Sequence, residues 1–153
     1  MNKKGFTLVE LLAVIVIIGL LSTIAILSMS RVLEGARKDT YVANANAAIS
    51  AARNDYMINN PSKWFWTLAE VNALLEKKLI NTPFGGTYSA GYVVRATDGT
   101  YGVCLTGNNA SAGSIGSGST PVKEESLART SVVLTSATAC ASSMTTQPST
   151  IGS

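Results

Sequence analysis

The sequence predicts an α+β fold. A long N-terminal helix, with a first half apolar enough to span a membrane, packs by its second half on a small antiparallel β-sheet. Three observations predict it. Leu11 to Leu27 carries no charge, and 14 of those 17 residues are apolar. From Tyr41 to Tyr56 apolar residues recur at spacings of three, four and seven. Beyond Pro61 the pattern shortens into apolar runs separated by Gly, Pro and Asp. At 153 residues the chain suits one domain. Its charged fraction of 14% lies well below the roughly 25% of ordinary soluble domains. That deficit is concentrated in the apolar segment, so the sequence reads as a hydrophobic part followed by a polar body.

The residue inventory excludes much chemistry. There is no histidine, which removes Ser-His-Asp and Cys-His catalysis and most zinc sites. Cys104 and Cys140 are the only cysteines and cannot close a four-thiolate site. No phosphate-binding glycine loop appears. No catalytic residue, metal site, cofactor or small-molecule substrate is expected, and the chain does not read as an enzyme. The formal charge is +3, from 12 basic and 9 acidic residues. Without Lys3 and Lys4 the count is 10 against 9, or +1. The other basic residues are scattered, so nucleic acid is not an expected partner.

The first element starts behind Lys3 and Lys4. Phe6 to Leu27 is 22 residues, about 33 Å as a helix, enough to cross ~30 Å of hydrocarbon. The two lysines should stay cytoplasmic, which puts the body outside. Ser22 to Leu27 makes a poor small-residue cleavage site, so an ordinary secretory signal fits badly. Glu10 is the anomaly, because a carboxylate within lipid costs on the order of 3 kcal/mol. It either reaches the headgroups or is a buried charge awaiting a positive partner.

Lys3-Lys4-Gly5-Phe6-Thr7-Leu8-Val9-Glu10-Leu11-Leu12 resembles the class III signal of type IV prepilins and pseudopilins. The resemblance implies a leader, residues 1–5, that a prepilin peptidase cuts after Gly5. It makes Phe6 the new N-terminus and the site of N-methylation, and Glu10 the family's hallmark glutamate. Gly19 matches a glycine commonly found in the family's membrane helix. Many pilins also have a proline near the position of Leu27; this sequence has none, so no proline-induced kink is expected there. The strong resemblance covers roughly the first 30 residues. Cleavage would create an α-amine at Phe6, cationic at neutral pH. That amine, or the same group on a neighbouring subunit, could pair with Glu10 and select the docking register.

The helix should continue. Residues 6–29 form its membrane or filament-core part and residues 30–60 an amphipathic continuation. Tyr41, Ala45, Ala48, Ile49, Ala52 and Tyr56 are its candidate core face, with Lys38, Asn46 and Arg53 opposite. Pro61 stops it, and its alanines allow close approach of a sheet or another helix. Such a helix, near 80 Å at 1.5 Å per residue, must bury half its length outside its own domain.

Residues 61–153 should form the globular head. Trp64-Phe65-Trp66 reads as an anchor of a loop onto the helix, or else as a contact with another subunit. Thr67-Leu68-Ala69-Glu70 is a capping box opening a short helix that runs to Leu79. Thr82 to Thr87 reads as a turn. Tyr88 to Ala96 and Thr100 to Thr106 read as a hairpin across Thr97-Asp98-Gly99, and Ser131 to Thr135 as a third strand. The Gly/Ser/Ala/Asn-rich span from Gly107 to Thr120 reads as a surface loop or flexible insertion. Its Asn109-Ala110-Ser111 triplet is too common a pattern to count as a glycosylation site.

In an exported body an isolated cysteine pair tends to form a disulfide. The resemblance supports one between Cys104 and Cys140, because many pilins have a disulfide bounding their C-terminal region. Two reduced thiols are the alternative. Closing ~36 residues would restrict the unfolded chain by about 4 kcal/mol in the entropic account.

Taken with the resemblance, the expected function is that of a structural type IV pilus subunit. It is held in the inner or cytoplasmic membrane as a single-pass precursor and then polymerises into an extracellular filament. The implied partners are other copies of the chain, a prepilin peptidase, and the assembly platform and motors. A pseudopilin of a type II secretion or competence system, and a minor tip pilin with an adhesive or DNA-binding role, are the alternatives.

Overall fold

The structure, a computed structural model, describes residues 7–134 and 138–152. The element order is α1 (Leu8–Ile58), β1 (Phe65–Thr67), α2 (Leu68–Leu74), β2 (Tyr88–Arg95), β3 (Tyr101–Gly107), β4 (Ser114–Ile115) and β5 (Val122–Lys123). This is the expected α+β, pilin-like architecture: a long helix followed by a small antiparallel sheet. The chain divides into two compact units, one ending at Ala36 and the other starting at Arg37, with α1 contributing to both.

α1 runs uninterrupted for 51 residues. It contains no proline, and Ser22 and Thr23 turn their hydroxyls back on the helix. Ser22 Oγ donates to the Ile18 carbonyl and Thr23 Oγ1 to that of Gly19, so these polar groups add no unsatisfied donor to the apolar segment. The helix stops where Pro61 approaches. Asn59 and Asn60 both donate their N–H to the Asp55 carbonyl.

The sheet has the order β1-β2-β3-β4, with β5 also paired to β3, and every pairing is antiparallel. The β2–β3 hairpin lies within one residue of its expected ends. Its turn closes through Ala96 N–H to Thr100 O and Gly99 N–H to Ala96 O. Gly99 sits at φ +89°, where a side chain would be strained. Alternation along the strands makes two apolar faces. Val93, Tyr101, Val103 and Leu105 point to α1 and join Tyr41, Ala45, Ala48, Ile49, Ala52 and Trp66 in one core. Tyr92, Val94 and Cys104 point the other way, into a second cluster with Cys140 and Ile151.

Four expectations for the head need correction. Phe65–Thr67 is not a loop but a short edge strand, paired with β2 from Phe65↔Val94 to Thr67↔Tyr92. Alternation sends Trp66 into the helix-side core and Phe65 to the opposite face, against Tyr92. α2 ends at Leu74, five residues short of Leu79. The Asn72 side chain both donates to the Leu79 carbonyl and accepts its N–H, turning the chain back. That turn buries Leu79 while Glu76, Lys77 and Lys78 stay exposed.

The span 107–120 is not a loose insertion. It holds a 3-10 turn, Ala110–Ala112, and strand β4, with Ala112, Ser114 and Ile115 buried. Small residues permit this approach, and the buried Tyr41 hydroxyl donates to the Gly113 carbonyl at 3.0 Å. The expected strand Ser131 to Thr135 reduces to a single bridge, Ser114↔Val133. Ser131 belongs instead to a 3-10 turn, Arg129–Ser131, and Thr135 lies outside the described residues.

Candidate functional site

Two regions carry the residues singled out by sequence, the start of α1 and the cysteine pair. Gly5 and Phe6, the expected cleavage junction, lie outside the described residues. Glu10 lies in the first turn of α1. Thr7 N–H donates to Glu10 Oε2 at 2.8 Å, and Thr7 Oγ1 donates to the same oxygen at 2.9 Å. In return Glu10 N–H donates to Thr7 Oγ1 at 3.3 Å. This is a reciprocal capping box, and it places a carboxylate at the positive end of the helix. Oε1 takes no hydrogen bond among the described residues. Thr7 is a partner that the sequence reading missed. Its signal was available, because Thr7-Leu8-Val9-Glu10 has the same Thr-Leu-x-Glu form as the cap of α2.

The apolar surface behind Glu10 is uncovered. From Leu8 to Leu33 the described large apolar side chains are 45–79% exposed. By length and composition α1 can cross a membrane. Leaving these 16 side chains in water would forfeit roughly 20 kcal/mol at about 1.5 kcal/mol each. A typical domain stability is only about 5–15 kcal/mol. The segment therefore requires an apolar environment from outside the chain.

Cys104 and Cys140 are brought together and bonded, with an S–S distance of 2.06 Å. Cys104 is fixed on β3, opposite Tyr92 of β2. Cys140 is held independently by Thr106. The Thr106 hydroxyl accepts the Cys140 N–H at 3.2 Å and donates toward Cys140 Sγ at 2.9 Å.

The flank of α1 within the head is clamped by charge. Arg53, expected opposite the candidate core face, pairs with Glu124 and lies over the Tyr101 ring, 4.8 Å from its centroid. Arg129 makes a bidentate pair with Asp39. Its hydrogen bonds hold the Asp39 carboxyl below the usual range. Both pairs fasten the 122–131 segment to the helix, although exposure limits what such pairs contribute. Among the described residues no three of Cys, Asp or Glu gather as a metal-binding group.

Comparison with known proteins bears on the N-terminus. Residues 1–26 match the family model described as a prokaryotic N-terminal methylation motif, the class III prepilin signal of type IV pilins. No curated protein and no solved structure matches the chain. The motif indicates a protein of the type IV pilin or pseudopilin kind and implies processing by a prepilin peptidase. With the long apolar helix behind it, the signal fits a membrane-anchored precursor.

Proposed function

We propose that the chain is a structural subunit of a type IV pilus, polymerising through its N-terminal helix into an extracellular filament. The observation that carries this reading is the uncovered row of apolar side chains from Leu8 to Leu33, directly behind the methylation motif. Lipid shelters that row in the precursor. In a filament the same helices from neighbouring copies shelter one another, so assembly exchanges one apolar environment for another and does not pass through water. On this reading the chain is organised as leader 1–5, core helix 6–29, amphipathic continuation 30–60 and head 61–153.

Glu10 supplies selectivity that apolar packing lacks, because many axial positions bury similar area. Cleavage after Gly5 frees the Phe6 amine, and pairing of a neighbour's amine with Glu10 is favourable only in one register. The capping box engages Oε2 alone, which is compatible with Oε1 receiving that amine. Glu10→Ala tests this role. The variant should insert and be cleaved normally, yet yield few sheared filaments when expressed alone. A wild-type yield of filaments from Glu10→Ala alone would show that packing suffices and would remove the docking role.

A further inference from the structure

We infer that the C-terminal segment 138–152 is a thiol-releasable strap: the Cys104–Cys140 bond latches it over the outer face of the sheet, and reduction frees it without unfolding the helix-side core. The segment has no helix or strand and touches the head at two ends. At one end Cys140 is bonded to β3, and Ala141 N–H donates to the Gly118 carbonyl at 2.9 Å. At the other, the Pro148 and Ser149 carbonyls accept the Thr97 and Asp98 N–H groups at the β2–β3 turn. Gln147 donates to the Arg95 carbonyl, and Ile151 is buried where Gly102 leaves room. Ser142, Ser143, Thr145 and Thr146, between the two ends, are exposed.

Beneath the strap lie Tyr92, Val94 and Phe65, and the strap adds Cys140, Met144 and Ile151 to the same apolar cluster. It does not share buried residues with the core against α1. The cover leaves one polar group unsatisfied: Tyr92 is 1% exposed, and its hydroxyl is buried with no hydrogen-bond partner among the described residues. Burial also pushes the phenol up to about 12. Such a group is disfavoured when covered and is satisfied once water reaches it. The closed strap thus works against a local cost, and the covalent latch offsets it by keeping one end at high effective concentration. Segments with few buried contacts open independently of the global fold.

A reductant would have to approach from the Cys140 side, because Cys104 is fully buried and Cys140 is 6% exposed. Cys140 lines a cavity of about 410 Å³ together with Asn72, Ser89 and Gly91. A dithiol entering there transfers two electrons and two protons. The S–S bond breaks, Cys104 and Cys140 become thiols, and the dithiol closes into its own disulfide.

The test is amide hydrogen exchange and phenol titration on the full-length chain in detergent, before and after dithiothreitol. Exchange should accelerate at least tenfold at Thr97, Asp98 and Ala141. It should stay within twofold across residues 41–52 and in the β2–β3 ladder. One tyrosine should lose its elevated titration and move toward the ordinary value near 10, and Tyr92→Phe should remove that change. Ile151→Asp with the bond intact should loosen Thr97 and Asp98 while leaving Ala141 protected. Acceleration spread equally over both faces would make the bond a staple of the whole head and overturn the inference. Unchanged exchange at Thr97, Asp98 and Ala141 after complete reduction would overturn it as well.

Discussion

Trp66 Nε1 donates to Asp55 Oδ2 at 2.8 Å, joining β1 to the last turns of α1. The indole bond, followed by one from Asn59, holds the Asp55 carboxyl below its ordinary value. A depressed folded value sets the sign of the pH effect. The contribution is complete above the unfolded value of about 3.9 and fades as pH falls through the folded one. The thermal midpoint of the head should therefore drop on acidification below about pH 4. Asp55→Asn, which can still accept from the indole, should flatten that acid limb and lower stability at neutral pH. Identical acid limbs in the two proteins, followed by Trp66 fluorescence, would mean the carboxylate contributes nothing. At this scale chemistry-bearing residues were legible when their type was restrictive, as with the two cysteines, which are bonded to each other. Contacts between distant positions, such as Trp66 with Asp55 or Arg129 with Asp39, leave no local pattern to read.

At the scale of elements, the same Thr-Leu-x-Glu form opens both helices. At α2 the Thr67 hydroxyl accepts the Glu70 N–H, while the Glu70 carboxylate accepts from Thr67 and pairs with Lys63. Thr67→Ala should cost about 1 kcal/mol of head stability by denaturant unfolding, and Thr67→Ser should recover most of it. An unchanged midpoint in Thr67→Ala would show that the strand before α2 fixes the helix start unaided. The alanine stripe supports a second expectation. Ala48→Leu adds bulk at a site 1% exposed and should destabilise by about 1–3 kcal/mol, whereas Asn46→Leu on the exposed side should change stability by less than about 0.5 kcal/mol. Helical periodicity made this stripe visible, and Asp-Gly punctuation made the β2–β3 hairpin visible. Strands of two or three residues cannot display a period. β1, β4 and β5 were therefore lost in aromatic, small-residue or charged sequence that only tertiary pairing gives a conformation. The cysteine pair marked one end of the C-terminal segment, but its other end is held by backbone bonds, Gln147 and the buried Ile151, which leave no local pattern.

For the molecule as a whole, two apolar surfaces are settled by different means. The helix-side core of the head is satisfied within the chain. The row from Leu8 to Leu33 is not, so the surroundings must complete it, first lipid and then, in the proposed function, other copies. The methylation motif ties that row to the processing of prepilins, and in the proposed function that processing frees a docking amine at Phe6. Filaments sheared from cells expressing the chain at its native level, purified and analysed by intact mass, test this account most directly. The account predicts that this chain is the main protein present, begins at Phe6, carries one added methyl group, and contains the Cys104–Cys140 bond. Filaments in which the chain is absent or a trace component, with the mature protein remaining in the membrane, would contradict it.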